Sequence, residues 1–189
     1  FIYNQRYQLL ADDNLADRVL NNANDTVEEM FYSYTHSGRK NQEAAAAALN
    51  EEIRNTFGIQ LPPERLTEDA LLAALQNDIT EKETLAGKEN LNMFIRYQYV
   101  QIIDKKWLDQ LEALESLREA VSLRSYGSKN PLTEYKIDGF NMFDEMMDTI
   151  RSTVMSRVFK VRIQLSPQAA EQRRQAAMRS HSSMNAQHS

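Results

Sequence analysis

The sequence predicts an all-α protein: an elongated helical scaffold with a long antiparallel two-helix hairpin and a small helical lobe inserted in it. Three observations point there. Only five glycines and four prolines interrupt 189 residues, and Ala, Leu, Glu, Gln, Asn and Arg dominate, so long helices with few breaks follow. Two apolar stripes of helical period flank one short polar loop near residues 125–130. Between residues 36 and 90 the punctuation changes, which marks a separate sub-lobe.

In chain order, apolar positions run from Ile2 to Leu10, pause at Ala11-Asp12-Asp13-Asn14 and resume at Leu15, Val19, Val27, Met30, Phe31 and Tyr34. The spacing predicts two consecutive helices, with Asp13 or Asn14 accepting from the free amides that open the second. Thr35-His36-Ser37-Gly38 is turn chemistry. The run Ala44 to Ala48 opens the next helix, Phe57-Gly58 ends it, and Leu61-Pro62-Pro63 forces an extended link. Thr67-Glu68-Asp69-Ala70 resembles a capping box before the stripe Leu71, Leu72 and Leu75. Residues 40–90 carry ten acidic against five basic side chains, which predicts a solvated, negative outer face.

The first arm of the hairpin starts at Leu91, with a stripe of Ile103, Trp107, Leu111, Leu114, Leu117 and Val121. It stops at Ser125 to Lys129, after which Asn130-Pro131 supplies an N-cap and a proline at the first helical position. The second stripe is Phe140, Phe143, Met147, Ile150, Val154, Val158 and Val161, and Gly139 near its start costs about 1 kcal/mol in propensity against alanine. Stripes joined by so short a loop pack antiparallel, so Trp107, Leu111, Leu114, Phe140 and Phe143 are expected as structural anchors between the arms. Tyr126 stands at the tip, between Ser and Gly, where hairpin geometry alone fits a presented contact residue and a loosely packed turn tyrosine equally well. Met142, Met146 and Met147 suit core filling better than an adaptable peptide groove. Ser166-Pro167 ends the pattern, and residues 164–189 read as a flexible tail with too few large apolar side chains to fold alone.

Several kinds of chemistry are excluded. A net charge of -5 with both signs mixed along the chain lacks the basic stripe that nucleic acid requires. No cysteine is present, so neither a disulfide framework nor a thiolate metal site is expected, and a reducing compartment suits the chain. No stretch of about 18 apolar residues occurs, so membrane contact is expected to be peripheral. A phosphate-cradling G-x-x-x-x-G-K-[ST] loop is missing, with Gly38-Arg39-Lys40 only a weak echo. His36, His181 and His188 have no zinc-binding spacing. Asp12-Asp13, Glu28-Glu29 and Glu51-Glu52 are adjacent, so on a helix they diverge by about 100 degrees and cannot share a substrate. No catalytic residue, cofactor or metal is therefore expected, and the opening Phe1-Ile2-Tyr3-Asn4-Gln5-Arg6 reads as the interior of a helix in an excised fragment.

Four clusters carry a resemblance: Ile103-Asp104-Lys105-Lys106-Trp107-Leu108-Asp109-Gln110-Leu111, Leu117-Arg118-Glu119-Ala120-Val121-Ser122-Leu123-Arg124-Ser125-Tyr126, then Asn130-Pro131 with Glu134-Tyr135-Lys136, and Phe140-Asn141-Met142-Phe143. In order and spacing they resemble the C-terminal part of the SecA family, motor ATPases that drive preproteins through the bacterial SecY channel. The likeness is strongest over residues 94–163, present at Ile2 to Arg6 and faint over 36–90. It implies a helical scaffold domain over 1–35, a helical wing domain over 36–90, and scaffold with a two-helix finger over 91–163. Tyr126, with Arg124 and Lys129, would then be a fingertip that contacts the translocating chain. Gln110 and Ala120 depart from the family's histidine and glycine, so no role is carried to either.

The same resemblance implies partners: the SecA motor domains, the SecY channel, unfolded preprotein and an anionic membrane surface, but no nucleic acid. ATP and Mg would belong to motor domains outside these residues, leaving this piece no enzyme in itself. The implied place is the bacterial cytoplasm and the cytoplasmic face of the inner membrane. A free-standing helical adaptor or coiled-coil protein is the alternative.

Overall fold

The computed structural model describes residues 11–36, 42–124 and 130–164. Within them the chain forms α1 (Leu15–His36), α2 (Gln42–Phe57), a 3-10 turn (Pro63–Arg65), α3 (Glu68–Ala86), α4 (Lys88–Arg124) and α5 (Pro131–Lys160). No strand occurs among the described residues.

The start of α1 departs from expectation. Its first amide, on Leu15, donates to Asn92 Oδ1 on α4 at 2.9 Å, not to the side chain of Asp13 or Asn14. Asn92 Nδ2 and Arg96 Nη2 also donate to the carbonyl of Asp12, at 3.1 and 2.8 Å. The cap is tertiary because residues 12–14 are laid against the first turns of α4, which puts a long-range amide within reach of the open helix end.

Two punctuation marks shape the inserted lobe. Gly58 (φ 70) ends α2 and Gly87 (φ 89) separates α3 from α4, both in left-handed backbone that a side chain disfavours. Hence α4 begins at Lys88, a turn earlier than the apolar pattern suggests. Between α2 and α3 the Asn50 side chain holds Leu61 at both ends, accepting from its amide at 3.2 Å and donating to its carbonyl at 2.7 Å. Thr67 caps α3 as its sequence predicts, its hydroxyl accepting from the amide of Ala70 at 3.3 Å.

The arms α4 and α5, of 37 and 30 residues, are about 55 and 45 Å long at 1.5 Å per residue. Asn130 caps α5 by accepting from the Leu132 amide at 3.0 Å, with Pro131 at the first position. Across the arms, Arg157 donates to Gln98 Oε1 at 3.0 Å, and a side chain on Gly139 would meet Leu114 Cδ2 at 3.4 Å. These two points fix the antiparallel register.

One core runs through the whole body. Leu15, Val19 and Val27 of α1, Ile53 and Phe57 of α2, Leu71 and Leu75 of α3, Ile95 of α4 and Ile150, Val154 and Phe159 of α5 are fully buried in it. Each contributes about 1.5–3 kcal/mol by leaving water. At the joint between lobe and hairpin, Phe57 meets the edge of Phe159 with ring centroids 5.5 Å apart. Beside them Lys82 Nζ is buried, paired with Asp78, and donates to the carbonyls of Val158 and Phe159 at 2.9 and 3.0 Å. An ammonium there neutralises the negative end of α5 and satisfies carbonyls that the helix leaves open. Burial lowers the Lys82 pKa, opposed by its hydrogen bond and charge pairing with Asp78.

Candidate interaction surface

The two halves of the hairpin are built differently. Toward the base, Tyr99, Ile102 and Ile103 of α4 and Met146, Ile150 and Val154 of α5 are buried. Beyond them the seam steps through Trp107, Gln110, Leu114, Leu117 and Val121, alternating by four and three residues, which is the 3.5-residue period of two helices coiling together. Among these Trp107, Leu114 and Leu117 are half-buried, and Gln110 and Val121 are buried.

This seam corrects two of the expected anchors. Leu111 is 46 % exposed and Phe140 is 68 % exposed, so neither lies between the arms. Gln110 and Gly139 occupy the seam instead, and each misplaced residue is the next one along, rotated by about 100 degrees. The apolar pattern passed over a glutamine and a glycine because neither looks like a core residue. Trp107, Leu114 and Phe143 do turn inward, each half-buried.

Leu111 follows Gln110 on α4 and Phe140 follows Gly139 on α5, and in an antiparallel pair the successors of facing residues turn to the same side. The Leu114–Gly139 contact also sets them at nearly the same height. Together with Leu108, which is 63 % exposed, they give the distal half an apolar flank. Leu132 and Ile137 of the same half are exposed as well.

Gln110 adds a polar defect to the distal seam. Its Nε2 is buried and has no hydrogen-bond partner among the described residues. A buried amide without a partner weakens the local packing by about 1–3 kcal/mol. Its position in the fold follows from the register, which sets it opposite Phe143.

Of the expected fingertip, Tyr126 and Lys129 lie outside the described residues, as does the side chain of Arg124, whose backbone ends α4. The methionines divide: Met146 is buried in the core, whereas Met142 and Met147 are half-buried. Among the described residues no group of three or more His, Cys, Asp or Glu could hold a metal ion, and no helix is long and apolar enough to cross a membrane. A groove between α1 and α5, about 570 Å³, is lined by Asp25, Thr26, Glu29, Asp148, Arg151 and others.

Taken together, these features define a class: an all-helical scaffold with a long two-helix arm on which Leu108, Leu111 and Phe140 are exposed. Comparison with known proteins gives the family. The family model described as SecA Wing and Scaffold domain matches residues 1–162, and the chain belongs to that family. It is 43 % identical over 198 residues to a protein translocase subunit SecA of Treponema denticola, covering 100 % of this chain and 21 % of that protein. To the subunit of Treponema pallidum it is 38 % identical, over 96 % of this chain and 21 % of the relative. The subunit of Borreliella burgdorferi is 36 % identical over 86 % of this chain, which covers 18 % of that relative. The chain thus spans about a fifth of the length of the curated relatives it matches. These matches favour the translocase resemblance over a free-standing adaptor.

Proposed function

We propose that this chain is the wing and scaffold part of a protein translocase subunit, and that it couples movement of a nucleotide-driven motor elsewhere in the parent to transport of a preprotein. The observation that carries this reading is the hairpin: a deeply packed base continuous with the core of every other helix, and a distal half that exposes Leu108, Leu111 and Phe140. Force applied to α1, α2 or α3 reaches the arm through one apolar cluster with few soft joints. The finer assignment follows the family resemblance. In it the tip bearing Arg124, Tyr126 and Lys129 contacts unfolded preprotein at a SecY channel, residues 1–35 and 91–163 are scaffold, and 36–90 are wing. ATP and Mg act in the parent's motor domains, on which this part acts as a restraint, and the parent works at the cytoplasmic face of the bacterial inner membrane.

Cross-linking from position 126 in the intact parent during preprotein transport tests the reading. Adducts to the moving preprotein are expected, with Tyr126→Ala slowing transport. Cross-links that miss preprotein, with transport unchanged in Tyr126→Ala, would defeat the fingertip role.

A further inference from the structure

We propose that Asn92 and Arg96 are positioning residues for preprotein transport: they lock the elbow at residues 12–14, so that movement reaching this chain through residues 1–10 turns α4 and its arm instead of bending the elbow. The inference deepens the translocase reading and rests on it. Residues 11–14 are the covalent link between residues 1–10 and α1, and Asp12, Asp13 and Asn14 have no apolar side chain to bury. What holds them in place must therefore be polar.

The holding side chains come chiefly from α4. Asn92 is buried and bonds on both sides of the elbow, donating to the Asp12 carbonyl at 3.1 Å and accepting from the Leu15 amide at 2.9 Å. A carboxamide suits this place because it offers a donor and an acceptor at once, whereas aspartate only accepts and leucine does neither. One turn further on, Arg96 donates to the same carbonyl at 2.8 Å and lies 3.6 Å from the Asp13 carboxylate. From α1, Arg18 pairs with Asp12 Oδ2 at 3.3 Å, while Asp12 Oδ1 accepts from the Asn14 amide at 2.8 Å. Lys88 donates to Asn14 Oδ1 at 3.4 Å, next to the Gly87 corner through which the chain leaves the inserted lobe. The elbow is thus tied through its backbone and its side chains to the start of one helix. That helix, α4, runs unbroken from Lys88 to Arg124, about 55 Å, so a turn imposed at Asn92 and Arg96 is carried to the distal arm.

In the intact parent, Asn92→Ala with Arg96→Ala is expected to leave the rate of ATP hydrolysis unchanged while the preprotein moved per ATP falls about fivefold, the scale of a lost coupling between sites. Hydrogen exchange at the Leu15 amide should accelerate in the same variant, since its acceptor is gone. Arg96→Lys alone keeps a donor for the Asp12 carbonyl, so its transport per ATP should stay near that of the unaltered protein. Ile53→Val, a small loss in the core that spares the elbow, should leave the ratio unchanged. An unchanged ratio in the double variant with faster Leu15 exchange would overturn the inference, as would an equal fall in Ile53→Val or a Leu15 amide that exchanges no faster. An unaltered parent that moves no preprotein would instead remove the translocase reading, and this inference with it.

Discussion

The two halves of the hairpin are made from the same helices yet hold different relations to the rest of the molecule. At the base, α4 and α5 are flanked by α1, α2 and α3, so Ile95, Tyr99, Ile103, Ile150, Val154 and Phe159 are covered on several sides. Distally, among the described residues, each arm packs on the other alone, and a two-helix pair can bury one narrow stripe per helix. Large side chains off that stripe, Leu111 and Phe140 among them, are left in water. Deep burial is therefore concentrated in the base, while the arm leaves Leu108, Leu111 and Phe140 open to water.

Substitutions should separate the halves. The largest effect is expected at the base, where Phe159→Ala removes a fully buried ring and should lower stability by about 3–5 kcal/mol in urea denaturation. Lys82→Met breaks a buried pair and opens two carbonyl contacts at the joint. It should cost about 3 kcal/mol, lessened by the second partner, Arg162, that Asp78 keeps. In the arm the sign reverses for Gln110→Leu, which removes the unpartnered amide and should stabilise by about 1 kcal/mol while slowing hydrogen exchange around Leu114 and Phe143. A loss of stability in that variant would show that Gln110 is satisfied in solution and that the arm is better packed than its geometry indicates.

Alkaline titration gives the smallest effect and belongs to the base. Burial raises the Tyr99 pKa above 10.0, so just above that pH the unfolded chain loses this proton first and stability falls as pH rises. Lys82, lowered below 10.5, has the opposite sign: the unfolded chain then binds the extra proton, and stability rises with pH up to that value. Tyr99→Phe should leave only the rise and Lys82→Met only the fall, read from denaturation midpoints across that range.

How much of this was legible in the sequence follows the same division. Caps made by neighbours in the chain, at Thr67 and Asn130, could be read directly because the donor and acceptor are two or three residues apart. The cap on α1 could not, since Asn92 is 77 residues away from Leu15. Lys82 was hidden in an acidic stretch that reads as solvated, and its only local signal is Asp78 one turn earlier. In the hairpin, apolar spacing located both arms and the half-buried Trp107, Leu114 and Phe143, but it preferred Leu111 to Gln110 by side-chain type. Period alone distinguishes them: steps of four and three from Ile103 land on Gln110. Of the tip residues that the family resemblance singles out, Tyr126 and Lys129 fall outside the described residues.

The central claim is that the arm's apolar flank serves contact and contributes little to folding. Its most direct test is the transport rate of the intact parent carrying Leu111→Ala with Phe140→Ala, measured beside its thermal midpoint. The account predicts transport slowed several-fold at a stability within about 1 kcal/mol of the unaltered protein, as exposed substitutions allow. Unchanged transport, or a destabilisation as large as that of Phe159→Ala, would contradict it.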